Sequence, residues 1–146
     1  MNIHGLLANL ESRWAKAAVA LASNTDDNSA RIDMIDYESA MFITSIEDSV
    51  ATGVATLKVE QNDLDQDSGM VAITDATATK TCVVTDDING QLLIVEVRNP
   101  SKRYIQGVRT SATANIAFGG IVVLLKPRIF PSVQGATVAA STYVSD

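Results

Sequence analysis

The sequence predicts a mainly β protein: an antiparallel β-sandwich or jelly-roll-like barrel, preceded by an N-terminal α-helix and followed by an extended C-terminal arm. Three observations carry this expectation. From residue 30 onward, short runs rich in β-branched residues are each closed by Gly, Asn, Asp or Pro. About eight such runs succeed one another, with turn signals every 8–12 residues or so and no helical period between them. The composition is 47% hydrophobic but only 5% aromatic, and a core of small and β-branched side chains favours sheet over helix.

The 146 residues suffice for one domain with a core that needs no metal or disulfide. Four segments are expected: a helix over 1–22, a polar connector over 23–29, the sandwich over 30–126 and the arm over 127–146. In the first, Ile3, Leu7, Leu10, Trp14, Ala17 and Leu21 step alternately by four and three, which places them on one stripe of an amphipathic helix. A lone helix of this length is marginal in water, so the stripe has to dock on its own domain or on another subunit. His4 reads as a polar residue at the helix start and Trp14 as a packing anchor. Glu11, Arg13 and Lys16 interrupt the apolar content, and the longest run, Ala17 to Ala22, falls short of the roughly 7–15 residues of a secretory core. A soluble, cytosol-made chain with no membrane partner is the expectation.

Ser23 to Ser29 is turn-forming. "ARIDMI" and "SAMFITSI" follow as strands, then "VATLKVE", where Ala55, Leu57 and Val59 alternate with Thr56 and Lys58 as in a half-buried strand. "MVAIT" and "TKTCVVT" lead to "DDING", whose Asn89-Gly90 pair signals a hairpin. "QLLIVEV", "RYIQGVRT" and "IAFGGIVVLLK" complete the set, with Gly119-Gly120 marking a bulge or a close backbone approach. "GIVVLLK" is apolar on both faces, as expected of a central strand or of one covered by a sister subunit. The arm, with Ile129, Phe130, Val133, Val138, Tyr143 and Val144, is apolar for a solvated tail and would be buried by lying across a neighbour.

Little in the chain points to chemistry. His4 is the only histidine and Cys82 the only cysteine, so neither a nucleophilic triad nor a zinc cluster can be assembled. No phosphate loop precedes a helix. Asp63, Asp65 and Asp67 have the alternate spacing of a calcium loop, but the glycine comes one place late at Gly69 and Thr74 stands where a glutamate should close the site. A solvated acidic loop is the better reading. No enzyme, cofactor or metal is therefore expected, and a net charge of −6 argues against nucleic acid.

One feature opposes that charge: "RNPSKRYIQGVRT" gathers Arg98, Lys102, Arg103 and Arg109 within thirteen residues, with Lys126 and Arg128 further on. Such cations either guard a sheet edge or meet an acidic partner, with Tyr104 adding contact area. Arg98, Lys102, Arg103, Tyr104, Arg109, Ile129 and Phe130 are the candidate protein-interface residues.

A resemblance adds to this reading. An aspartate-bearing strand leads to Tyr37, Ser39 and Ala40; a Thr52-Gly53 turn opens the alternating strand of Leu57 and Val59. Pro100 precedes the Lys102-Arg103-Tyr104 step, and Thr113-Ala114-Asn115 leads to an apolar strand ending in Lys126-Pro127. In combination, over residues 1 to about 130, these features resemble the capsid decoration, or cement, proteins of tailed bacteriophages. The first helix is longer and richer in Ala than such proteins lead one to expect, and the tail after Pro131 has no counterpart. The resemblance implies a structural protein on the outer capsid surface of a virion, made in the host cytoplasm. Its partner would be the major capsid protein, and it would form a homo-oligomer, a trimer favoured over a dimer. Another virion component such as a tail or fibre module, or a carbohydrate-binding sandwich, is the alternative.

Overall fold

The computed structural model describes residues 5–145, so His4 and Ile3 lie outside the described residues. Among the described residues, eleven strands form two sheets in which every pairing is antiparallel. They are β1 Glu11–Lys16, β2 Val19–Leu21, β3 Thr25–Asn28, β4 Ile32–Asp33, β5 Tyr37–Ser49, β6 Val54–Asn62, β7 Val71–Thr81, β8 Leu92–Arg98, β9 Tyr104–Ala112, β10 Ile116–Phe118 and β11 Ile121–Pro127.

Several of these are halves of one longer strand. β1 and β2 lie end to end along β11 and β10, which themselves lie end to end along β5, with β8 on the other side of β5. In the second sheet β3 and β4 share the edge of β9, followed by β6 and β7. Counting each broken strand once gives two four-strand layers, ordered first–eighth–third–sixth and second–seventh–fourth–fifth. That connectivity is a jelly roll.

Side-chain alternation builds the core. On β5, Ala40, Phe42, Thr44 and Ile46 point inward and are buried while Met41, Ile43 and Ser45 face out; on β6, Ala55, Leu57 and Val59 are fully buried, as their spacing predicts. Phe118, Ile121, Val123 and Leu125, from β10 and β11 beside β5, join them in the core. The break at Gly119-Gly120 is a close approach: a Cβ on Gly119 would collide with the Ser45 hydroxyl, and one on Gly120 with the Trp14 ring.

The β-sandwich fits the sequence reading; the N-terminal helix is not present among the described residues. Residues 5–9 form turns, and the stripe from Leu7 to Leu21 is divided between β1, β2 and their flanks. The exposed edge of β11 decides this, because pairing with it satisfies a ladder of backbone groups and seats Glu11 and Ala15 inside the sandwich. A short isolated helix has no comparable gain, so tertiary contact overrides local period. The connector contributes β3, "MVAIT" and "TKT" join into one bulged strand, and "DDING" is no hairpin. It belongs to a loop that crosses from β7 in one sheet to β8 in the other.

The C-terminal arm packs on its own chain, beside the open edge of β1. The Ser132 amide donates to Ala8 (2.8 Å), the Ser12 amide to Gln134 Oε1 (2.8 Å) and the Trp14 amide to Thr137 Oγ1 (3.1 Å). Side chains of the arm thus satisfy the edge amides that would otherwise invite another strand.

Candidate interaction surfaces

Loops 34–36, 63–70, 99–103 and 128–131 meet at one end of the sandwich. Antiparallel pairing places them there: β9 begins where β6 and β4 end, and the Arg128 amide bonds to the Asp36 carbonyl at 2.9 Å. This brings Arg98, Lys102, Arg103, Tyr104, Ile129 and Phe130 to a common end of the molecule. Arg98, Lys102 and Arg103 are already paired within the chain. Arg103 forks onto Asp33 (2.9 and 2.8 Å) and lies 5.2 Å from the centre of the Tyr104 ring. Lys102 reaches Asp63 at 2.6 Å, and Arg98 and Lys126 share Glu38 at 2.5 and 2.9 Å.

The acidic loop is held in the same way: Arg31 bonds Asp65 at 2.5 Å and Asp67 at 2.8 Å. Its three carboxylates therefore answer to cations of the chain. The guanidinium fork of Arg103, with the Ile35 amide, pulls Asp33 below the usual carboxylate range, and Lys126 with Arg98 does the same to Glu38. Between the ion pairs stand apolar tips, Ile35, Leu64 and Ile129, the last 83% exposed.

Arg109 does not join this end. Its side chain is 0% exposed and points between the sheets, where it donates to the Gly119 carbonyl (2.5 Å), the Ala17 carbonyl (2.8 Å) and the Asp27 carboxylate. It is an internal tie between layers.

A second surface was legible only in part, in the reading of "GIVVLLK" as apolar on both faces. The strand registers align Trp14, Val122, Ile43 and Ile94 in one row across β1, β11, β5 and β8, on the outer face of the first sheet. Leu124 and Met41 stand in the row on one side, and Leu92 beside Ser45 on the other. Trp14, Ile94 and Leu92 are 52%, 48% and 59% exposed, so the strip faces solvent. The outer face of the second sheet is polar by contrast: Thr56 bonds Thr79, Lys58 pairs Glu60 at 3.2 Å, and Thr110 bonds Asp26. The signal was present in "QLLIVEV" and "GIVVLLK", runs too apolar for strands with one wet face.

Around the loop end a cleft of about 350 Å³ lies between Tyr37, Pro127, Ile129 and Val133, and a larger open polar one lies between Lys16, Asp27, Arg31 and Glu60. No group of three or more His, Cys, Asp or Glu side chains among the described residues converges as a metal site.

No protein-family model matches the sequence, and no curated protein matches it either. Solved structures do share the architecture. The PBSX exported protein XepA is similar over 100% of this chain, with a TM-score of 0.56 and 14% identity, the match covering 47% of XepA. The infectious bursal disease virus VP2 subviral particle matches over 81% of this chain and 32% of its own, with a TM-score of 0.49 and 12% identity. A structure described as "CBM4 structure and function" matches over 86% of this chain and 93% of its own at 0.44 and 8%. The chain thus spans about half of XepA and a third of VP2, and what it shares with XepA is the fold of the β-sandwich.

Proposed function

We propose that this chain is a structural virion protein of a tailed bacteriophage, one that binds the outer surface of the capsid and holds neighbouring capsid subunits together. The resemblance of its sequence to decoration proteins suggests the class. The observation that carries the reading is the loop end, where Ile35, Leu64 and Ile129 are exposed among ion pairs that fix the loops beneath them. Apolar tips on a pre-ordered, charge-rimmed base suit adhesion, because little ordering entropy remains to be lost on docking. The chain acts by contact and catalyses nothing.

The test is co-sedimentation with mature heads of the encoding phage. Binding should saturate at a fixed ratio to the capsid protein, and Ile129→Asp or Leu64→Asp should weaken it about tenfold or more. Absence of binding to any expanded head, or recovery of the chain with tails after particle disruption, would replace this reading with the tail-module alternative.

A further inference from the structure

We infer that β8 is the contact strand of a dimer: its open edge pairs, antiparallel, with β8 of a second copy about a two-fold axis perpendicular to the first sheet. Three of the four sheet edges are closed to such pairing. Side chains of the arm occupy the amides of β1. The β3–β4 edge is interrupted between Asn28 and Ile32 and carries Asp26 and Asp27. β7 is bulged, with Ile73 to Ala76 standing between the partners of Lys58 and Glu60 and Asp75 among them at φ 62°. β8 has none of these devices. It runs beside β5 in unbroken register from Leu92 to Arg98, and a cleft of about 420 Å³ opens along it towards Ala78 and Lys80 of β7.

Unused backbone groups line that edge. The Ile46 amide donates to the Gln91 carbonyl at 2.9 Å, and the ladder alternates from there, so Leu93, Val95 and Val97 bond β5. The amides and carbonyls of Leu92, Ile94, Glu96 and Arg98 turn outward, where no hydrogen bond meets them among the described residues.

Register and charge select the occupant. Two copies of β8 pair only by setting outward-turned residues opposite one another, so the two-fold passes through Ile94, Val95 or Glu96. At Glu96 the two carboxylates would stand opposite, and at Val95 diagonal, and both positions set like charges together. At Ile94 that conflict is gone. Ile94 meets Ile94, Leu92 of each copy packs diagonally against it, and the two Glu96 lie about 14 Å apart. The same register carries Arg98 of each copy alongside Gly90 of the other, where a side chain would meet nothing within 4 Å. Glu47 is the next side chain beyond: the Gly90 amide bonds the Ile46 carbonyl at 2.7 Å, and Glu47 is exposed and bonded to the Ser45 hydroxyl alone among the described residues. Two strand spacings, about 10 Å, separate Arg98 from Glu47, within reach of both extended side chains. Arg98 can leave Glu38, which keeps Lys126. An apolar centre flanked by two reciprocal Arg98 and Glu47 contacts is what commits the edge to a second copy. The association does not depend on the capsid reading.

Sedimentation equilibrium and cysteine cross-linking of the full chain test this. Wild type should approach twice the chain mass at about 100 μM, since one strand edge makes a modest interface. Ile94→Lys should be monomeric with the circular dichroism and melting midpoint of wild type, whereas Val122→Lys, in the same outward row but two strands away, should remain dimeric. Arg98→Glu alone and Glu47→Lys alone should each associate about tenfold more weakly, and an equimolar mixture of the two should regain the wild-type affinity. Under mild oxidation Ile94→Cys should form a cross-linked pair and Glu96→Cys should not, the native Cys82 being buried. A monomeric wild type, a dimeric Ile94→Lys, a monomeric Val122→Lys, a mixture no tighter than its components, or cross-linking through Glu96→Cys in place of Ile94→Cys would overturn the proposal.

Discussion

Arg103 and Arg109 lie six positions apart, one at the mouth of β9 and the other within it, and each grips an aspartate. Their surroundings separate them. Arg103 is about half exposed and forks onto Asp33 at the end of β4. Arg109 is sealed between the sheets, 6.0 Å from the Phe118 ring, and answers two main-chain carbonyls as well as Asp27. Water can replace the partners of Arg103 but not those of Arg109. The same charged side chain is thus dispensable to the fold in one place and structural in the other. The carbonyls it holds, Ala17 and Gly119, belong to the two breaks in the first sheet, between β1 and β2 and between β10 and β11.

The largest expected effect follows directly. Arg109→Met would leave the buried Gly119 carbonyl without its donor and Asp27 with only Lys16, and removing one partner from such a group costs about 3–5 kcal/mol. Urea unfolding should show that loss, and Arg109→Met with Asp27→Asn should recover part of it. A single variant as stable as wild type would mean that Lys16, 3.6 Å from Asp27, takes over the charge. A smaller effect is expected beside it. A Cβ on Gly107 would come 2.8 Å from the Phe42 ring, so Gly107→Ala should overpack the core and cost about 1–3 kcal/mol by the same measurement.

The two arginines also mark what the sequence can and cannot tell. Alternation placed Ala55, Leu57 and Val59 inside correctly, and the turn residues separated most strands, because both signals are local. Arg109 was read as a surface cation because nothing within "QGVRT" announces that an aspartate some eighty residues earlier and a glycine carbonyl ten residues later will converge on it. The N-terminal segment failed for a related reason. Its four-three period is a genuine helical pattern, and only the unpaired edge of β11, far along the chain, turns it into a strand. The loop end was half legible: the cations were visible, but their carboxylates at Asp33, Glu38 and Asp63 come from distant parts of the chain, β4, β5 and the loop after β6. Trp14 was recognised as an anchor on the wrong element, so the apolar row it heads was never assembled.

On the exposed side of the comparison, Arg103→Ala should leave the unfolding midpoint within experimental error at physiological salt, since surface pairs contribute little. Its signature should be lost salt dependence: wild type should soften slightly as salt screens the pair, and the variant should not. A large loss of stability would show the fork with Asp33 to be a structural tie like that of Arg109.

The smallest effect concerns acid. Asp33 is held below its ordinary value by the Arg103 fork, Glu38 by Lys126 and Arg98, and Asp87 by the amides of Val84 and Val83 together with Cys82. A carboxylate with a depressed folded value contributes stability that is present above its unfolded value, about pH 4, and is lost as pH falls through the lower folded one. The melting midpoint of wild type should therefore hold down to about pH 4 and fall below it. Arg103→Ala returns Asp33 towards its unfolded value, so this variant should lose less stability across the same acid range. Superimposable pH profiles for the two proteins would place the acid sensitivity elsewhere, with Glu38 and Asp87 the next carboxylates to replace.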